Sequence, residues 1–129
     1  LKQNAKDMSF NGVKDDLSNL SAMLPYSFEI GNQWYEMTYQ DQTLTITSVS
    51  TNQKWDIEES QLYLIWDDVR VSSVFAEKDA SDVKKLVYGL LHATGYLSKI
   101  KIYDSKADCM LPGYQINSGL GRVLGFKEG

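Results

Sequence analysis

The sequence predicts an α+β fold, with an antiparallel β-meander of about five or six strands and with an N-terminal helix and a C-terminal-half helix packed on one side. Two observations carry this prediction. Apolar residues recur at helical spacing before residue 25 and again after residue 80. Between those segments apolar and polar residues alternate, which is the period of a half-buried strand, and short polar breaks separate the alternating runs. Without an internal repeat or a linker, residues 1–129 are expected to form a single domain.

The N-terminal helix is predicted over residues 10–24. Its apolar face consists of Val13, Leu17, Leu20 and Leu24. Ser9 or Asn11 is the expected N-cap, and Pro25 is the expected stop because proline cannot continue a helix. The polar residues 1–10 are expected to be frayed.

The meander is predicted to begin with a hairpin. Gly31-Asn32 suits the positive φ angles of a two-residue turn, and apolar residues alternate with polar ones on both sides of it. Two further strands are predicted, one over residues 43–50 and a short one over residues 55–57.

The apolar runs 62–66 and 69–75 are predicted as the next two strands. Both runs have the length of a strand, and Asp67-Asp68 between them is interpreted as a turn or a bulge.

The clearest element is a helix over residues 80–95. Its apolar stripe consists of Val83, Leu86, Val87, Leu90, Leu91 and Thr94. Acidic and hydroxyl groups between Asp79 and Asp82 are expected to cap its first turn. Gly95 is expected in the left-handed conformation that commonly ends a helix.

The last third of the chain is predicted in less detail. Ile100 and Ile102 alternate with lysines, which indicates a strand over residues 97–103. Residues 110–113 are interpreted as a turn, and the glycine-rich residues 117–129 as a wrapping or mobile tail.

Composition excludes several classes of protein. The net charge is −4 and only Arg70 and Arg122 are arginines, so sequence-specific nucleic-acid binding is not expected. No apolar run reaches the roughly 18 residues of a membrane span, and the single Cys109 cannot form an intramolecular disulfide. The cytoplasm is the favoured location. An extracytoplasmic location is the alternative if a signal or anchor preceded Leu1.

Charge is distributed unevenly along the chain. Residues 26–83 carry eleven acidic and three basic side chains, whereas residues 84–129 carry three acidic and seven basic ones. Two surfaces of opposite sign, able to steer a charged partner or to stack copies of the chain head to tail, are one interpretation. Mixing of the charges in the folded protein is the other.

Two candidate partner-binding surfaces follow from these patterns. The residues assigned to them are Lys84, Lys85, Tyr88, His92, Trp66, Asp67 and Asp68. The first four belong to a second face of the 80–95 helix, which we expect to be exposed, with Tyr88 as a contact and His92 as a titratable group. The other three belong to the acidic, aromatic sheet, a surface suited to a basic protein. A purely solvated helix face and ordinary burial of the aromatic residues are the alternatives.

No catalytic constellation is recognised. His92 and Cys109 supply only two ligands for zinc, and a nucleophile pair between them requires the fold to bring them together. Gly119, Gly121 and Gly125 do not have the spacing of a dinucleotide-binding loop. A Mg²⁺ site is the remaining enzymatic hypothesis. The carboxylates available to it are Asp67, Asp68, Glu77, Asp79, Asp82 and Asp104.

The expected function is therefore a non-catalytic module that binds another protein, or itself as a homo-oligomer, without a cofactor or a metal. Inhibitor, immunity factor, adaptor and accessory protein, including one of a bacterial or phage mobile element, are the roles that fit. One alternative is a soluble assembly domain of a larger membrane-anchored or secretion-system protein. Another is a small carboxylate-metal-dependent hydrolase.

Overall fold

The structure is a computed structural model that describes residues 7–72, 74–78 and 80–117. The elements in chain order are α1 (Phe10–Leu20), β1 (Tyr26–Ile30), β2 (Gln33–Gln40), β3 (Thr43–Ser48), β4 (Lys54–Glu58), α2 (Glu59–Ser72), β5 (Val74–Ala76), α3 (Asp82–Ala93), β6 (Leu97–Asp104) and β7 (Cys109–Ile116). The strands form two antiparallel sheets, sheet A in the order β1-β2-β3-β4 and sheet B in the order β5-β7-β6. The α+β class is confirmed, but the single meander that we expected is divided into two sheets.

Sheet A follows the predicted meander. Gly31 has a φ of 59° in the two-residue turn that joins Ile30 to its partner Gln33. The strands predicted around residues 43–50 and 55–57 are β3 and β4. The buried residues of the strands alternate with exposed or half-buried ones, so one face of sheet A is covered by the helices and the other face is more open.

The start of α1 agrees with the sequence. Ser9 is the N-cap, and its hydroxyl accepts a hydrogen bond of 3.1 Å from the Gly12 N–H. The Asp7 carboxylate in turn accepts one of 2.9 Å from the Ser9 N–H. Residues 1–6 of the segment expected to be frayed lie outside the described part of the chain.

The predicted end of α1 at residue 24 is wrong, because the helix ends at Leu20. Ser21 is the physical reason. Its hydroxyl donates to the Leu17 carbonyl at 2.9 Å and accepts from the Tyr39 N–H at 3.1 Å, which fixes the chain to β2 at this point. Leu24, expected on the apolar face, therefore lies beyond the helix and is exposed.

The two strands predicted over residues 62–66 and 69–75 are wrong. Residues 59–72 form α2, and only the short β5 follows as a strand. The buried residues of α2 are Leu62, Ile65, Trp66 and Val69. They have the i, i+3, i+4, i+7 spacing of one helical face, and Asp67-Asp68 lies inside the helix rather than in a turn.

α3 confirms the predicted second helix. Ser81 is its N-cap and accepts from the Lys84 N–H at 3.3 Å, and Gly95 after its end has a φ of 93°. Asp79, expected among the capping groups, lies outside the described residues. α3 contacts both β1 and β6, so it packs between the two sheets.

The turn predicted over residues 110–113 is wrong, since these residues belong to β7 at the centre of sheet B. The N–H and C=O of one residue point to the same side of a strand. The Pro112 carbonyl accepts from the Glu77 N–H at 3.1 Å, so the missing N–H of Pro112 also faces the β5 side, just past the end of β5. The pairing of β7 with β6 therefore loses no hydrogen bond to this proline.

The predicted tail lies mostly outside the described residues, which end at Asn117. Asn117 itself is held by hydrogen bonds, its N–H donating to the Tyr96 carbonyl at 2.9 Å and its side chain donating to the Gly95 carbonyl at 3.2 Å. Among the described helices, none is both long enough and apolar enough to cross a membrane.

Candidate functional site

The second face of α3 is not the exposed surface that the sequence suggested. Tyr88 is buried between two aromatic rings, with ring centroids 4.8 Å from Phe75 and 5.6 Å from Tyr114. The expectation that Tyr88 faces solvent is wrong, because sheet B covers this side of α3 as sheet A covers the other. A role of Tyr88 in partner binding stays a prediction.

His92 and Lys85 are half-buried on the same helix. The Nδ1 of His92 lies 3.0 Å from the Leu97 carbonyl oxygen, and it is the donor because a carbonyl can only accept. The imidazole also lies against Tyr114, with a centroid distance of 6.2 Å. His92 therefore joins the end of α3 to the start of β6.

Trp66 belongs to the core, not to a sheet surface. Its indole N–H donates to the Met8 carbonyl at 3.2 Å, and its ring meets the edge of Tyr96 at 5.7 Å. On the other side of α2, Asp67 accepts a hydrogen bond of 2.7 Å from Arg70, one turn along the helix. The three residues assigned to an acidic sheet surface thus lie on a helix, two of them on its outer side.

The structure does bring three of the predicted residues together. Asp68 of α2 and Lys84 and Tyr88 of α3 line one cavity of about 170 Å³. Burial, and secondarily the negative charge of Asp68, raises the pKa of Tyr88. Asp68 and Lys84 also line a larger groove of about 490 Å³ between α2 and α3, which Asp67 and Ser81 reach as well.

The exposed side of α2 carries large apolar residues where a surface helix usually carries polar ones. Leu64 and Val71 are 67% and 71% exposed, and their separation of seven residues places them on one line along the helix. Tyr63 beside them is 47% exposed. We call Tyr63, Leu64 and Val71 the α2 ridge.

A second groove lies on the other side of the α2 ridge, at the N-terminal end of the helix. Its volume is about 790 Å³, and its walls include Phe10 and Lys14 of α1 and Tyr63 and Leu64 of α2. Phe10 meets Tyr63 edge to face, with ring centroids 5.1 Å apart. Leu64 lines both grooves, so the ridge separates them at this residue. This arrangement was missed from the sequence because 62–66 was interpreted as a strand.

Two side chains in the wall of the second groove, Lys14 and Glu59, belong to a hydrogen-bonded chain that continues to Tyr39. The Tyr39 hydroxyl donates to Glu59 at 2.5 Å, and Lys14 donates to the other carboxylate oxygen at 3.3 Å. The hydrogen bond from Tyr39, and then that from Lys14, holds the pKa of Glu59 below its usual value. Because both carboxylate oxygens are bonded within the protein, Glu59 fastens β2, α1 and α2 together.

The described residues do not form the metal site or the Cys109–His92 pair that were considered from the sequence. No group of three or more His, Cys, Asp or Glu side chains there is arranged to hold a metal ion. Asp104 is paired with Lys78 at 3.2 Å. Cys109 lies opposite Asp104 at the turn end of the β6–β7 hairpin, whereas His92 contacts Leu97 at the other end of β6. Seven residues of strand separate Leu97 from Asp104, so Cys109 and His92 are roughly 20 Å apart.

The uneven charge of the sequence becomes partly segregated in space. Acidic residues of the meander lie on the open face of sheet A, and lysines lie on β6 of sheet B. The charged residues of that open face are Glu29, Glu36, Asp56, Glu58 and Lys54. Between α2 and α3, by contrast, Asp68 and Lys84 mix the two signs.

Comparison of the chain with known protein families, with curated proteins and with solved structures finds no match in any of the three.

Proposed function

We propose that this protein is a non-catalytic protein-binding module whose interface is the α2 ridge with its two flanking grooves. The observation that carries the proposal is the exposure of Leu64 and Val71 on one line of α2. Large apolar side chains exposed on a folded domain are unfavourable in water, and several of them on one side of a helix are a feature of sites that a partner covers.

The shape of this surface indicates the kind of partner. A ridge between two grooves is complementary to another helix, whose own side-chain rows fit beside the ridge. The partner we propose presents a helix with an apolar face, which would cover Leu64 and Val71 and extend toward Tyr63.

The charged residues around the ridge are suited to orient a bound partner helix more than to strengthen its binding. Asp67 with Arg70 and Lys14 with Glu59 are exposed or half-exposed pairs within the protein, and such pairs contribute little to stability. Asp68 and Lys84, which share the groove between α2 and α3, form no ion pair among the described residues. They are the groups best placed to fix the direction of a bound helix.

The experiment uses the full chain as bait for affinity capture from its native source, with Leu64→Asp/Val71→Asp as the test variant. Met23→Asp/Leu24→Asp is the matched control, because it makes the same chemical change at two exposed apolar residues after α1. Thermal unfolding checks that both variants are folded.

The proposal requires a stoichiometric partner that the wild type and the Met23 and Leu24 control both retain. Binding of that partner to the ridge variant should be weaker by at least about tenfold, since two apolar contacts are replaced by charges. Recovery of the wild type alone, or equal capture by the ridge variant, would overturn the proposal.

A further inference from the structure

β4 is one outer strand of sheet A and β6 is one outer strand of sheet B, and in the described part of the protein the outer edge of each is unpaired. On β6 the open backbone groups belong to Lys99, Lys101 and Tyr103. The backbone groups of Pro112 point toward β5, away from β6. Lys101 is the residue opposite Pro112, and in an antiparallel pair its backbone groups then point away from β7.

On β4 the open backbone groups belong to Lys54, Asp56 and Glu58. The Ser48 N–H donates to the Gln53 carbonyl at 2.8 Å, so Gln53 faces β3. Orientation alternates along a strand, and the residues at 54, 56 and 58 therefore point to the open edge.

The side chains beside these two edges are complementary in charge. Asp56 and Glu58 alternate with apolar residues on β4, and Lys99 and Lys101 alternate with isoleucines on β6. Glu58, Lys99 and Lys101 form no ion pair with any described residue.

We propose that copies of this chain associate head to tail by antiparallel pairing of β4 of one copy with β6 of the next. Asp56 then lies opposite Lys101 of the second copy, and Glu58 lies opposite Lys99 of the second copy. In this register the open backbone groups of both strands face one another and can exchange N–H···O=C bonds, as in a continuous sheet.

The same register also places the apolar side chains of β4 opposite the apolar side chains of β6. On the opposite face of the joined sheet, Trp55 lies opposite Ile102 of the second copy and Ile57 lies opposite Ile100 of the second copy. At the end of the pairing, Lys54 lies beside the exposed Tyr103 of the second copy. Opposite charges and apolar pairs directly across two strands stabilise their pairing.

The charges also favour this pairing over pairing of β6 with itself. Two β6 strands would place lysines opposite lysines, which is unfavourable, whereas two β4 strands paired over residues 54–58 would place Asp56 opposite Asp56 but Lys54 opposite Glu58. The interface joins two different edges, so it propagates into a ring or an open chain of copies. It uses strand edges and not the α2 ridge, and it goes beyond the proposed function.

The test is sedimentation velocity on the full chain and on two charge-swapped variants. One variant is Lys99→Glu/Lys101→Glu and the other is Asp56→Lys/Glu58→Lys. When copies of one variant meet, β4 and β6 carry charges of the same sign. In a mixture of the two variants, β4 of either variant meets β6 of the other with charges of opposite sign. Lys106→Glu, in the β6–β7 turn, is the control, and circular dichroism checks folding. If either double variant is unfolded, Lys101→Glu and Asp56→Lys replace the pair.

The proposal expects wild type and Lys106→Glu to associate with rising concentration, more weakly at high salt because exposed charges are screened. Each swapped variant alone should remain monomeric, and their equimolar mixture should associate again. A wild type that is monomeric at about 1 mM, where even a millimolar dissociation constant gives substantial association, would overturn it. So would association of a swapped variant alone, or a mixture that stays monomeric.

Discussion

Gly89 of α3 faces the side chain of Ile30 in β1, and the isoleucine occupies the space that a Cβ on residue 89 would need. Helix and strand approach closely at this point because the helix has no side chain there. Helix α3 carries much of the core between the two sheets, so this contact helps to set the spacing of the whole fold.

Gly89→Ala should therefore destabilise the protein. Overpacking of a core contact costs about 1–3 kcal/mol, which outweighs the gain of about 1 kcal/mol in helix propensity. We expect a net loss of about 1 kcal/mol in urea denaturation. In an Ile30→Ala background the same substitution should stabilise the protein instead. An effect of Gly89→Ala that is identical in both backgrounds would show that the two residues are not coupled.

Trp66→Phe should lower the free energy of unfolding by about 1–3 kcal/mol, because it removes the hydrogen bond to Met8 and leaves part of a buried volume empty. Trp34→Phe is the matched control, since Trp34 is half-exposed, and it should change stability by less than about 0.5 kcal/mol. Equal effects of the two substitutions in urea denaturation would contradict the placement of Trp66 inside a helical core.

Stability should decrease at acid pH partly through Glu59. A carboxyl whose pKa is lower in the folded state than in the unfolded state stabilises the fold at any pH above its usual pKa, here 4.5. This contribution disappears as the pH falls through the pKa of the folded state. The free energy of unfolding of Glu59→Gln should therefore fall less than that of the wild type when the pH is lowered below the usual carboxyl pKa. Glu58→Gln, at the neighbouring exposed carboxylate, is the control. Parallel acid denaturation curves for wild type and Glu59→Gln would contradict this role.

Stability should also decrease at alkaline pH partly through Tyr114. Burial, followed by the negative charge of Glu77 and the hydrogen bond to it, raises the pKa of Tyr114 to about 12. A raised pKa stabilises the fold below the usual value of 10.0, and this contribution is lost progressively as the pH rises from there to about 12. Tyr114→Phe keeps the ring contacts and should flatten the decrease in stability over that range. An unchanged alkaline unfolding curve would contradict the prediction.

Local patterns predicted sheet A and α3 well because each of their elements is half-buried. The period of two in β3 and the i, i+3, i+4 stripe of α3 both record a surface with one apolar side. Ser9, Gly31 and Gly95 then occupy the cap and turn positions that residue type alone indicates. The end of α1 could not be predicted in this way, since Ser21 depends on a partner in β2 that is distant in sequence.

α2 and the candidate site were missed for the same physical reason. The segment 62–66 is apolar on the exposed side of the helix as well as on the buried side, so Tyr63 and Leu64 hide the helical period. A short apolar run does not distinguish strand from helix by periodicity. The departure from an ordinary amphipathic pattern, which led to the wrong element, is also the feature that marks the proposed interface.

The most direct test of the protein-binding proposal is photo-crosslinking from single positions in the native source. A photoreactive amino acid replaces Leu64 in one form of the chain and Met23, a more exposed residue outside the site, in another. The account predicts a discrete crosslinked partner from position 64 and none from position 23. Crosslinks of equal yield and identity from both positions, or none from position 64, would contradict it.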